Sequence, residues 1–281
     1  MKLRLMYALL AGLFVVACST TSETANDDAL SDAKEMVIAP SIVGEEVSYA
    51  TDSTTMNGYL AFDQNDTTKR PGILVVHEWW GHNEYSRMRA DMLAEMGYVA
   101  LAVDMYGDGK QAAHPDEAGQ FAMMVMGNLD EARARFESAM ATLKNHPQVD
   151  PEKIGAIGYC FGGSVVLSMA NAGYDLDAVA AFHAGLGLPI MPEEGSVKGK
   201  VLVANGADDK FIPEQQIEDF KAAMDAAGAD YKFINYEGAV HSFTSKAADS
   251  LAQKFEMPLA YNAYADSASW AEMKVLFDEA F

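Results

Sequence analysis

From about residue 45 onward, apolar runs of strand length alternate with stretches of helical period. Gly72-Ile-Leu-Val-Val and Lys200-Val-Leu-Val-Ala are nearly continuous apolar segments. Strands buried on both faces have this pattern, which predicts a largely parallel sheet covered by helices. The predicted strands are Gly72–His77, Tyr98–Asp104, Lys153–Tyr159, Ala178–His183, Lys200–Asn205 and Tyr231–Tyr236. A short hairpin, Val47–Thr51 with Met56–Phe62, precedes them.

Between the strands, Leu129, Ala132, Phe136, Met140 and Leu143 share one helical face, while Asp130, Glu131, Arg133, Arg135 and Glu137 lie off it. Residues 213–228 open with Pro213 and end with Gly228, the expected punctuation of a helix. A last helix spans about 264–280, with Trp270, Met273, Leu276 and Phe277 as its buried stripe. This alternation predicts one α/β domain over residues 45–281.

The N-terminus is different. Lys2 and Arg4 precede the apolar run Met6–Ala17, which is too short to span a bilayer and reads as a signal-peptide core. Val15-Val16-Ala17-Cys18 resembles the lipobox of bacterial lipoproteins. The expectation is a signal peptide over 1–17, a lipid on Cys18 and a tether over 18–44. An ordinary secretory signal is the alternative. Ser19 resembles the outer-membrane sorting class, so the expected location is the bacterial cell envelope, with the lipid as the only membrane contact. The tether is Ser-, Thr-, Asp- and Glu-rich and cannot bury enough apolar surface to order itself. Ser31 and Lys34, spaced as S-x-x-K, lie within it and lack a scaffold.

Charge narrows the partners. The chain carries 41 acidic and 20 basic residues, a net −21, and cleavage before Cys18 removes two of the basic ones. Such a chain repels phosphate backbones and anionic lipid, which argues against nucleic acid as a partner.

The strongest chemical signal is Gly158-Tyr159-Cys160-Phe161-Gly162-Gly163, between the strand 153–159 and a predicted helix 164–172. It is a G-x-nucleophile-x-G turn with cysteine as the central residue. The sharp reversal strains the central backbone and leaves room only for tiny residues on either side. It also sets the thiol at a helix N-terminus, where N–H groups favour a thiolate and a developing oxyanion.

A cysteine nucleophile needs a base, and the base an acid to orient it. Downstream of Cys160 stand His183, at a strand end, and His241, in a loop after the last strand. His241 fits the chain order of this turn better, and His183 stays open. Asp208 and Asp209 follow the strand 200–205. Asp209 is preferred as orienter, with Asp208 shaping the turn.

Together, Gly-Tyr-Cys160-Phe-Gly-Gly, Gly-Ala-Asp208-Asp209-Lys-Phe-Ile-Pro, Gly-Ala-Val-His241-Ser-Phe and His77-Glu78-Trp79-Trp80-Gly81 resemble the dienelactone hydrolase family. The resemblance spans about 45–280. It implies an α/β-hydrolase fold of three layers, a mostly parallel sheet flanked by helices. It also implies ester or lactone hydrolysis on a small molecule through Cys160, His241 and Asp209. Glu78 then matches an acid that contacts the resting thiol, and the backbone N–H groups of Phe161 and Trp79 match an oxyanion hole. No metal or organic cofactor is implied. The family's arginines that clamp a substrate carboxylate have no counterpart. Ser245 stands four residues after His241, and Gly107, Asp108, Gly109 and Lys110 fill the other loop. Neutral esters are therefore expected over anionic dienelactones.

Other classes fit less well. His77 and His82 are five apart with Gly81 between them, whereas a helical H-E-x-x-H zinc site needs a spacing of four. With Cys18 lipidated, Cys160 is the only thiol and lacks a resolving partner for redox exchange. A non-catalytic envelope binding lipoprotein that keeps the fold is the remaining alternative, but it has no use for the base.

Overall fold

The computed structural model describes residues 39–281. The signal segment, Cys18, Ser31 and Lys34 lie outside the described residues.

The hairpin strands are β1 (Ile42–Ala50) and β2 (Thr55–Asp63), joined by nine consecutive cross-strand pairs from Ile42–Asp63 to Ala50–Thr55. Both are longer than expected, so the sheet starts slightly before residue 45. β1 is an edge strand, and its added exposed Glu45 and Glu46 carry no apolar signal.

There follow β3 (Arg70–Val76), α1 (Glu84–Glu95), β4 (Val99–Val103), α2 (Pro115–Met126), α3 (Leu129–Lys144), β5 (Val149–Tyr159) and α4 (Phe161–Asn171). Then come β6 (Ala178–Phe182), β7 (Lys200–Gly206), α5 (Glu214–Ala226), β8 (Tyr231–Tyr236), α6 (Ala248–Phe255) and α7 (Ala263–Ala280). The strands form one sheet in the order β1-β2-β4-β3-β5-β6-β7-β8. β3 to β8 run parallel, and only the β1–β2 and β2–β4 pairings are antiparallel.

Successive strand residues point to opposite faces, so the sheet has two cores. Leu74, Val76, Leu101 and Val103 pack with Val125 of α2, Phe136 and Leu143 of α3, Val165 of α4 and Phe220 of α5. Ile73, Val75, Ala100 and Ala102 pack with Leu93 of α1 and with Met273 and Phe277 of α7. Each such large side chain contributes about 1.5–3 kcal/mol on burial.

Two boundaries differ from the sequence expectation in an informative way. α4 begins at Phe161, not Ser164, because the turn at Cys160 passes into helix without a loop. β5 reaches back to Val149, past Pro151, because a register shift in its pairing with β3 brings Arg70 opposite Val149. Trp270, expected in the buried stripe of α7, is only half-buried.

Candidate active site

The site lies at the carboxyl ends of β3, β5, β7 and β8. Cys160 sits between β5 and α4 with φ 53° and ψ −115°. Holding a non-glycine residue there costs about 1–3 kcal/mol, which the central sheet sustains. The flanking glycines are required by contact. A Cβ on Gly158 would lie 2.1 Å from the Gly162 carbonyl oxygen, and one on Gly162 would lie 2.3 Å from that of Val76. The Cys160 N–H donates to the Phe182 carbonyl at 3.0 Å, fixing the turn to β6.

Loops after β7 and β8 bring two more predicted residues to the thiol. His241 Nε2 is 3.0 Å from Cys160 Sγ, and His241 Nδ1 is 2.7 Å from Asp209 Oδ2. Asp209 is buried, and its Oδ1 accepts from the Phe211 N–H at 2.9 Å. Asp208 points to solvent while its N–H donates to Ala239, a turn-shaping contact. Burial opposes a charged His241 ring, but the negative charge on Cys160 beside it, aided by Asp209, outweighs that and pushes the imidazole up to about 10.

His183 is fully buried, and its Nε2 is 2.7 Å from Thr244 Oγ1. Burial holds it well below the usual histidine range, and the nearby positive charges of His241 and Arg89 add to this. His77 is engaged at both nitrogens. Its Nδ1–H donates to the Glu78 carbonyl at 2.6 Å, and its Nε2 accepts from the Met105 N–H at 3.2 Å.

The structure does not bring Glu78 into hydrogen-bond contact with the thiol. Glu78 Oε1 instead accepts from Ser242 Oγ at 2.9 Å, and burial raises the carboxyl above its ordinary range.

Phe161 is the first residue of α4, so its N–H has no acceptor within the helix. The Trp79 peptide is fixed from both sides. The Glu78 carbonyl accepts from the Gly81 N–H and from His77, while the Trp79 carbonyl accepts from Tyr106 Oη at 2.9 Å. Because the peptide is planar and trans, the Trp79 N–H points opposite the occupied Glu78 carbonyl.

Cys160 and His241 open on a cavity of about 300 Å³. Trp79, Met126, Phe211, Ile212, Met257 and Leu259 give it an apolar lining, and no Lys or Arg lines it. Lys110 is elsewhere, in an exposed pair with Asp108 at 3.3 Å. Ser245 is buried and does not reach this cavity.

Sequence reasoning missed Arg89 of α1, which is 3 % exposed. Its Nη2 donates to the Thr244 carbonyl at 2.9 Å and to Asp266 Oδ1 at 2.6 Å, and its Nε donates to Tyr85 Oη at 3.2 Å. The guanidinium also lies over the rings of Tyr85, Tyr159 and Trp270. It thus joins Tyr159, just before Cys160, to the loop that carries His241. Nothing local in the sequence marks it, because every partner except Tyr85 and Met92 is distant along the chain.

A mostly parallel sheet, a strained turn after a central strand, and an acid and a histidine on loops after later strands define an α/β-hydrolase. Comparison with known proteins narrows the class. The dienelactone hydrolase family matches residues 56–281. Protein usf of Aquifex pyrophilus is 30% identical over 217 residues, covering 74% of this chain and 90% of that protein. The carboxymethylenebutenolidase of Rhodococcus opacus is 26% identical over 188 residues, covering 64% and 72%. Among solved structures, m3DLH has 37% identity and a TM-score of 0.81 over 85% of this chain and 99% of its own. A dienelactone hydrolase-like promiscuous phosphotriesterase from metagenomic libraries has 33% identity and a TM-score of 0.79 over the same shares. The chain belongs to the dienelactone hydrolase family and is an ester or lactone hydrolase acting on a small molecule.

Proposed function

We propose that the protein hydrolyses neutral esters or lactones through a cysteinyl acyl-enzyme, with Cys160 as nucleophile, His241 as acid and base, and Asp209 as orienter. The observation that carries this reading is the unbroken chain of contacts from Cys160 Sγ through both ring nitrogens of His241 to Asp209 Oδ2. His241, its imidazole pushed up to about 10, holds the proton while the Cys160 sulfur, 3.0 Å away, attacks as a thiolate. The thiolate adds to the carbonyl carbon, and the oxyanion rests on the N–H groups of Phe161 and Trp79. Collapse breaks the ester C–O bond, and His241 Nε2–H protonates the departing alkoxide. Neutral His241 then takes a proton from water, whose oxygen attacks the thioester. The second collapse releases the acid and restores thiolate and imidazolium. Between turnovers, His241 returns its proton to the sulfur as Cys160 turns toward Glu78, which then receives a thiol.

The apolar cavity at Cys160 supports a neutral acyl group, because no Lys or Arg lines it to hold a carboxylate. The test is a turnover screen over matched neutral and anionic esters and lactones, with Cys160→Ala as blank. Turnover of none, or equal turnover by the blank, refutes the reading.

We further propose that the chain is anchored in the bacterial cell envelope by a lipid on Cys18 after removal of residues 1–17. Cys18→Ser should leave it uncleaved or released from the membrane fraction. A variant that fractionates like the parent refutes the anchor.

A further inference from the structure

A second cavity, of about 350 Å³, shares no lining residue with the one at Cys160. Trp79 lines the first, and its neighbour Trp80 lines the second. Glu78, Gln111, Ser245, Lys254 and Phe255 complete its working walls.

Three features of these walls favour a positive guest. Glu78 is 4 % exposed, and only its Oε1 is satisfied, by Ser242 Oγ; its Oε2 has no hydrogen-bond partner among the described residues. That open oxygen is an acceptor that a donor entering the cavity can reach. Gln111 spends its amide Nε2 on the His82 carbonyl at 2.8 Å, so what remains is an acceptor oxygen. The Trp80 and Phe255 rings are stacked 5.8 Å apart, and the Lys254 ammonium already lies over the Phe255 ring at 4.7 Å. These aromatic faces attract cations, and a chain of net −21 enriches them nearby. A hard metal ion fits poorly, since it takes six or more oxygen ligands, and Glu78 is the only carboxylate in the lining. An anion would meet Glu78.

We propose that this cavity binds a small organic cation, a primary ammonium or a guanidinium, whose N–H groups reach Glu78 Oε2 and the Gln111 side-chain oxygen while its charge rests on Trp80 and Phe255. The site meets the hydrolytic reading only at Glu78, because Cys160, His241 and Asp209 do not line it. Binding is therefore measured without turnover.

The experiment is calorimetric titration of the protein with methylguanidinium and n-butylammonium chlorides, against sodium chloride at equal ionic strength. Saturable binding of at least one organic cation is expected in the parent. Glu78→Gln should weaken it by about tenfold or more, since a charge-assisted hydrogen bond is lost. Ala113→Trp, filling the cavity from its exposed rim, should abolish it. Lys254→Ala, at an exposed position, should leave affinity unchanged or tighter by removing a competing ammonium. No saturation in the parent overturns the proposal. So does parent-like binding in either cavity variant that is folded by circular dichroism, or weaker binding in Lys254→Ala.

Discussion

His183 stands edge-on to His241, their ring centroids 5.4 Å apart, yet the two rings do different things. His241 spans Cys160 and Asp209, while His183 turns its Nε2 to Thr244, which also meets Tyr85 Oη at 2.6 Å. His241→Ala should therefore abolish ester turnover. His183→Ala should keep turnover and lose about 1–3 kcal/mol of stability from the unpaired hydroxyl network. Kinetics and thermal melts on both variants check this, and the opposite pattern would reassign the base.

Cys160→Ala should leave no measurable turnover of any accepted ester. Cys160→Ser should retain a trace, because its hydroxyl is far less acidic than a thiol. An active-site burst with an activated ester, present in the parent and absent in both variants, is the measurement.

The two acids should separate sharply. Asp209→Asn should lower kcat by about 10³- to 10⁴-fold, because it removes the charge that supports His241 and its tautomer. Asp208→Asn, at an exposed turn position, should change it by about twofold or less.

The charged state of His241 can be titrated. Burial alone would pull the ring down, and the negative charge on Cys160 is the largest influence pushing it up to about 10. In Cys160→Ala, the His241 resonance should therefore titrate well below that value by nuclear magnetic resonance. The folded value lies above the ordinary 6.5, so the stabilisation is complete below about 6.5 and lost as pH rises toward 10. The melting-temperature gap between parent and His241→Gln should narrow over that range. A gap that widens would show that the proton is not held there.

Arg89→Met should cost about 3–5 kcal/mol, because it leaves Asp266 and the Thr244 carbonyl without their buried partner. It should also lower kcat more than it raises KM, since Arg89 bonds to neither Cys160 nor His241 and acts by holding the His241 loop. Arg89→Lys should recover little, because an ammonium cannot serve Thr244, Asp266 and Tyr85 in a planar fork.

In matched lactones with and without a carboxylate, the neutral member should have the higher kcat/KM, and added salt should help only the anionic one. A tenfold or greater preference for the anionic lactone, lost in Lys110→Ala, would reverse this expectation.

Much of this protein was legible along the chain. Apolar runs marked strands β3 to β7, because a strand buried on both faces must be apolar at consecutive positions. The Gly158–Cys160–Gly162 turn was legible because Gly158 avoids a clash with the turn's own Gly162 carbonyl, whereas the Val76 carbonyl that Gly162 avoids is brought near only by the sheet. The loops holding Asp209 and His241 could be placed after their strands. Tertiary structure decided what depends on residues far apart in sequence meeting in space. Strand order set which loops share the sheet's carboxyl edge, and so chose His241 over His183 as the partner of Cys160. It sent Glu78 to Ser242, gathered Arg89 with Thr244 and Asp266, and opened two cavities on either neighbour of the Trp79–Trp80 pair. Periodicity reports which face of an element is buried, not what it is buried against. A buried arginine or carboxylate is defined by partners that only the closed fold supplies.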